Sequence, residues 1–301
     1  MKLVEFADYG PPDVLQLVEA TDPEPGPDEI RIRVRSAGIQ PFDCATRRGE
    51  FKTYRPLELP ARLGNEAAGV VDATGTAVTE FTVGDEVIAY MTMLGYADTV
   101  VVPAAHAARK PEGMPWPEAG VLTASGQTAL TALDDLDVGA NDTLLVHAAA
   151  GGVGSFAVQL GRIRGARVIG TASERNHDYL RRLGAEPVLY GAGLRERVEA
   201  ITPDGVTHVL DAIGGEALEV SLALAPKEHI VTIADWAGAT RLGVRRIGTE
   251  RSKAKLIELT MLVERGLLHV EVQQTFALSE AAAAHELVES GHVRGKVALV
   301  V

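Results

Sequence analysis

The residues best placed to do chemistry lie in Val146-His147-Ala148-Ala149-Ala150-Gly151-Gly152-Val153-Gly154-Ser155-Phe156. Within this stretch Ala149-x-Gly151-x-x-Gly154 is the GxGxxG pattern with its first glycine replaced by alanine. That spacing serves binding: it makes a tight turn, lets backbone approach a pyrophosphate, and aims the amides of a helix start at the anion. The run Ala150, Gly151, Gly152, Val153 and Gly154 is therefore the expected dinucleotide cradle. A glycine turn alone is also compatible with a packed strand-to-helix corner. The flanks supply the context the motif requires. Thr143-Leu144-Leu145-Val146 reads as a buried strand, and Phe156, Leu160 and Ile163 recur at helical spacing, with Ala157 and Val158 filling the same face.

The next strand, Arg167-Val168-Ile169-Gly170-Thr171, ends without the carboxylate that would bind an NAD ribose. Ser173-Glu174-Arg175-Asn176 follows, supplying a hydroxyl, a guanidinium and an amide, donors suited to a 2′-phosphate. NADPH is the expected cofactor, although Glu174 places negative charge nearby. Ser173 is also expected to cap the following helix.

Other chemistries find little support. The eight histidines fall in no Ser/His/Asp or metal-ligand spacing, and His147 at a strand end reads as a packed or hydrogen-bonded residue. Cys44 is the one cysteine, which excludes an internal disulfide and a multi-thiolate zinc site and suits a reducing cytoplasm. With 29 Lys and Arg against 41 Asp and Glu, the net charge of −12 argues against nucleic acid or an anionic membrane as partner. Thr143 to Gly161 carries no charge, but His147 and the glycines divide it into strand and helix, so a soluble protein without a signal peptide is expected.

The elements that must position these residues form two textures. Residues 1–113 read as β-rich, with Ile30-Arg31-Ile32-Arg33-Val34-Arg35 alternating like a half-buried strand whose arginines form a charged face. Asp43 reads as an N-cap for a short helix closed by Gly49. Residues 114–250 alternate strand and helix, which indicates a parallel doubly wound sheet with a sixth strand within 242–247. Residues 251–301 return to the first texture, with Ser279 expected to cap a helix ending at Gly291. The fold class is α/β, with the sheet domain inserted into a β-rich domain made from both chain ends.

These residues make the sequence resemble a medium-chain dehydrogenase/reductase, and more narrowly the zinc-independent quinone oxidoreductases related to zeta-crystallin. The resemblance spans almost the whole chain. It rests on Tyr9-Gly10-Pro11-Pro12-Asp13-Val14-Leu15, Ala37 to Asp43, Gly64-Asn65-Glu66-Ala67-Ala68-Gly69-Val70-Val71, Gly84 to Val87, Ala149 to Gly154, Asp211 to Gly215 and Arg294 to Val297, in that order. It implies a GroES-like barrel domain and a Rossmann domain, with the cofactor in the cleft between them. Zinc members of the superfamily carry a Cys near Gln40, a His at Asn65 and a Cys near Val121, so the resemblance implies no catalytic metal here.

The resemblance also assigns roles. Thr171, Ser173, Arg175, Asn176 and Tyr190 would surround the ribose phosphate, Ile213 would line the adenine side, and Ala234 would lie near the nicotinamide. Lys296 either reaches the cofactor or is a surface lysine at a strand start. Gln40 and Thr128 border the nicotinamide in the family and are the candidate assisting groups, while Phe51, Tyr54 and Met93 are candidate pocket walls or ordinary packing. Ala45 stands where many members have a tyrosine. The expected activity is hydride transfer from NADPH to a quinone or an α,β-unsaturated carbonyl compound. An enoyl-thioester reductase of polyketide type and an NADPH-binding sensor without turnover are the alternatives. A homodimer through an outer sheet edge near His229 to Ile233 is expected from the family.

Overall fold

Ile30, Ile32 and Val34 are buried, and the intervening arginines turn to the other face of strand Glu29–Ile39. On that face Arg31 and Arg33 share Asp72, with Nε–O distances of 2.8 and 2.6 Å, and Arg33 also meets Asp22 at 2.6 Å. The alternation thus yields an apolar face and a face of ion pairs, as period-two patterning predicts. This strand organises a seven-stranded sheet, and a three-stranded sheet accompanies it. Its first half pairs with Thr99–Pro103 and its second half with the last strand, Lys296–Val300. Its other edge is covered by Glu66–Thr74. The residues around Ile39, Glu66 and Lys296 are therefore neighbours although the chain separates them widely.

The structure is a computed structural model that describes residues 1–301. It divides into two compact units, one made of Met1–Ala124 with Arg251–Val301 and one of Ser125–Glu250. Residues 114–124, which the sequence groups with the sheet domain, lie in the end-built unit. Gly120 explains why: a Cβ there would stand 2.4 Å from Ser36 Oγ, so this segment is pressed against strand Glu29–Ile39.

The second unit holds six parallel strands: Thr143–Val146, Arg167–Ala172, Glu186–Leu189, His208–Asp211, Ile230–Thr232 and Arg245–Arg246. The first lies centrally, the second and third extend one side, and the fourth to sixth extend the other. This is the Rossmann order, whose crevice lies beyond the carboxyl ends of the strands. Ile230–Thr232 is not an outer edge, because Arg245–Arg246 pairs outside it. The two-residue arginine strand occupies the edge where the sequence placed His229 to Ile233.

Helix ends depart from expectation in the end-built unit. Helix Pro41–Arg48 begins one turn earlier than the sequence suggests, so Gln40 is its N-cap and Asp43 sits at the third position, accepting the Gln40 N–H at 2.9 Å. Ser279 lies inside the short turn Leu278–Glu280 and caps nothing; Glu280 instead accepts the Ala277 N–H at 2.8 Å before helix Ala281–Glu289. No helix is long and apolar enough to cross a membrane.

Candidate functional site

The glycine turn lies between strand Thr143–Val146 and helix Gly152–Ile163. Ala148 takes a positive φ of 52°, and the chain reverses tightly there. A Cβ on Gly154 would stand 2.3 Å from the Ala148 carbonyl oxygen, so no larger residue fits. Gly151 is the N-cap and, lacking a side chain, leaves the first-turn amides uncapped. Those amides, from Gly152, Val153 and Gly154, have no partner within their own helix and point out of its positive end. Ala150 is buried behind them.

A buried polar chain holds this turn. The Ser221 hydroxyl donates to the Ala217 carbonyl at 2.8 Å, so it accepts from His147 Nε2 at 3.0 Å. His147 Nδ1 then accepts from the Thr171 hydroxyl at 3.3 Å, which in turn accepts the Ala148 N–H at 3.3 Å. Burial lowers the His147 pKa to about 4, partly opposed by Asp211, and the ring is neutral. Thr171, expected beside the ribose phosphate, faces inward and supports the turn.

The remaining nucleotide candidates line the carboxyl edge of the same sheet. Ser173, Arg175 and Asn176 follow strand Arg167–Ala172; Asn176 Nδ2 donates to Ser173 Oγ at 3.3 Å, and the Ser173 side chain makes no cap. Tyr190 and Ile213 are 55% and 62% exposed just beyond the third and fourth strands, and Ala234 is exposed beyond the fifth. Asp211 braces this edge. Its carboxylate accepts from Ile213 N at 3.1 Å, Gly214 N at 2.9 Å and Thr232 Oγ1 at 2.5 Å. Trp236 stands on the same edge with the Arg246 guanidinium 5.1 Å from its ring centre. Thr128, on helix Thr123–Asp135, shares a 2.5 Å hydrogen bond with the Thr249 hydroxyl.

In the end-built unit the polar candidates meet around Glu66, which is fully buried. Its Oε2 accepts the Ala124 N–H at 2.7 Å, and its Oε1 accepts from Gln40 Nε2 and lies 3.3 Å from Lys296 Nζ. Lys296 is only 4% exposed and also reaches the Ile39 carbonyl at 3.3 Å. It is thus not a surface lysine. Burial lowers its pKa, and Glu66 opposes that shift. Behind Gln40 lies Asp43, which accepts from Asn65 Nδ2 at 2.8 Å and Tyr96 OH at 3.2 Å. Burial pushes the Asp43 carboxyl up to about 6 against its hydrogen bonds from Gln40, Gly64 and Tyr96. The neighbouring Cys44 is buried and its thiol is pushed up to about 12, so it is no nucleophile.

Phe51 stacks on Phe42 with ring centres 5.1 Å apart and meets Tyr54 at 5.9 Å, making an exposed aromatic group in this unit. Met93, at a positive φ of 58°, packs instead against the core that includes Phe6, Leu63 and Tyr96. Sequence reasoning did not single out Phe42 as a site residue, nor Glu66, Asp211 or Thr249. Glu66 and Asp211 stood within quoted motifs, but their long-range partners left no local signal.

The comparisons agree with this geometry. Residues 26–112 match the alcohol dehydrogenase GroES-like domain family, and residues 183–299 match the zinc-binding dehydrogenase family. The chain is 34% identical to a quinone oxidoreductase of Pseudomonas aeruginosa, across 99% of both proteins. The solved structure of Escherichia coli quinone oxidoreductase complexed with NADPH has a TM-score of 0.89 at 28% identity and covers 100% of each chain. CurK enoyl reductase gives a TM-score of 0.91 at 25% identity, covering 99% of this chain and 98% of that one. Motifs, sheet order and relatives together establish that the chain belongs to the medium-chain dehydrogenase/reductase superfamily, in its quinone oxidoreductase family.

Proposed function

We propose that this protein is an NADPH-dependent oxidoreductase that reduces a quinone or an α,β-unsaturated carbonyl compound without zinc. The observation that carries the reading is the uncapped start of helix Gly152–Ile163, held against Ala148 at the carboxyl edge of the Rossmann sheet. When bound there, NADPH supplies the hydride. The amides of Gly152, Val153 and Gly154 hold the pyrophosphate, and Ser173, Arg175 and Asn176 take the 2′-phosphate. Tyr190 and Ile213 cover the adenosine, Ala234 leaves room beside the nicotinamide, and Thr128 orients it. Strand Arg167–Ala172 ends on alanine, where an NAD site would carry an acid.

Gln40 would donate to the oxygen of the acceptor, stabilising negative charge there, and solvent would supply the proton. Phe51 and Tyr54 would flank the acceptor, while Met93 belongs to the core beneath. The zinc named by the matching family does not suit this donor set. Gln40, Asn65 and Val121 offer neither thiolate nor imidazole, and the Glu66 carboxylate is committed to Ala124, Gln40 and the Lys296 ammonium. A homodimer belongs to the same reading, with its sheet contact at Arg245–Arg246. The likeness to CurK enoyl reductase favours one second reading, an enoyl-thioester reductase.

The test follows NADPH absorbance with quinones, enones and an enoyl thioester, with NADH and a chelator as controls. Turnover specific to NADPH and indifferent to chelator supports the reading, and the preferred acceptor separates the two reductases. NADPH binding without turnover of any acceptor would replace it with a sensor, and chelator-sensitive turnover would restore zinc.

A further inference from the structure

We propose that Lys296 and Glu66 are positioning residues for Gln40, together fixing the plane of its side-chain amide. The inference rests on the reading of Gln40 as the group that meets the acceptor. Three antiparallel strands bring the residues together. Ala37 pairs with Ala67 beside Glu66, and Val297 pairs with Ile39, which sets Lys296 beside the end of the strand that Gln40 follows. The Gln40 backbone is already fixed, because its N–H is given to Asp43 at 2.9 Å. Its side chain gives the amide nitrogen to Glu66 Oε1.

The strand is built around this carboxylate. A Cβ on Gly38 would stand 2.1 Å from Glu66 Oε1, so only glycine admits the acid at this depth. Stability does not account for the arrangement. A buried ion pair costs as much desolvation as it returns in attraction, and an apolar pair of equal volume commonly serves as well. What the Lys296 ammonium provides, 3.3 Å from Glu66 Oε1 and 3.3 Å from the Ile39 carbonyl, is a fixed position for the oxygen that takes the Gln40 amide. With its other oxygen held by the Ala124 N–H at 2.7 Å, the Glu66 carboxyl group cannot turn away from Gln40. A long amide that would otherwise sample several rotamers then faces the acceptor in one orientation, and misplacement by about 1 Å can cost up to about a hundredfold in rate.

The test is a double-mutant cycle on the full-length protein, read as kcat and acceptor KM, with NADPH Kd by fluorescence titration and melting temperature measured alongside. Q40A and K296M are each expected to lower kcat by about tenfold, with NADPH Kd within about twofold of the parent. Q40A/K296M is expected to be no slower than Q40A, because Lys296 acts only through Gln40. K296R, which keeps the charge, should restore most of the kcat lost in K296M. If K296M does not fold, E66Q enters the same cycle with the same expectation. Losses that multiply in the double variant overturn the inference and leave Gln40 in its role. So does a K296M kcat equal to the parent's when Q40A is slow. A Q40A kcat equal to the parent's removes the Gln40 reading itself, and the inference with it.

Discussion

The Ala148 carbonyl oxygen occupies the space beside Gly154, where an added Cβ would stand 2.3 Å away. Gly154→Ala must therefore push the helix start off the turn and turn its first amides away from the nucleotide. NADPH Kd, measured by fluorescence titration, should rise more than about tenfold, the scale of losing a single charge-assisted hydrogen bond. An unchanged Kd would show that the cradle lies elsewhere.

Arg175 follows the second strand, which ends on alanine where an NAD site would carry an acid. Replacing it by alanine should weaken NADPH by about tenfold and leave NADH within about twofold, because only the former presents a phosphate to a guanidinium. The ratio of the two Kd values is the readout. Equal losses for both nucleotides would mean that Arg175 supports the loop rather than reading the phosphate.

The strand, tight turn and helix start of the glycine motif were legible because their requirements are local. A tight turn, an uncapped helix and the chemistry of residues 173–176 are each written in contiguous sequence. Thr171 was assigned to the ribose phosphate by the family resemblance, yet strand alternation directs it inward, and its hydroxyl closes a chain running through His147 and Ser221. The polar centre of the other unit was not legible. Lys296 and Glu66 meet through strands that pair across nearly the whole chain, so nothing near Lys296 distinguished a buried ammonium from a surface one. Asp43 was misplaced by three positions for a simpler reason. Gln40 is an uncommon N-cap, and the acid drew the cap to itself.

Asp211 holds the fourth and fifth strand ends together by accepting from Ile213, Gly214 and Thr232. In Asp211→Ala the buried Gly214 amide and Thr232 hydroxyl, with the part-buried Ile213 amide, lose their acceptor, at a cost of about 3 kcal/mol in all. Asp211→Asn keeps one oxygen and should lose less than half of that. Both variants should also weaken NADPH by loosening Ile213. Urea unfolding midpoints order the three proteins, and an alanine variant as stable as the parent would refute the brace.

His147 gives acid sensitivity a definite sign. Its ring accepts a hydrogen bond from Thr171 at one nitrogen and donates one to Ser221 at the other, so only the neutral form fits. Burial lowers its pKa to about 4 from the 6.5 of an exposed histidine. Between those values the unfolded chain binds the proton and the folded chain does not. Stability from this residue is therefore complete above pH 6.5 and declines as pH falls toward about 4, by about 3 kcal/mol over the window. Asp43, raised to about 6, contributes in the opposite direction over part of that range and is common to parent and variant. His147→Asn keeps a donor and an acceptor but does not titrate. It should be less stable than the parent near neutrality, because its shorter side chain reaches neither partner fully, and it should lose less stability between pH 7 and 4.5. Unfolding midpoints at the two pH values give the comparison. Parallel losses in both proteins would place the acid sensitivity elsewhere, with His285 the next residue to test, since burial and the nearby Arg47 and Arg48 hold its pKa at about 3.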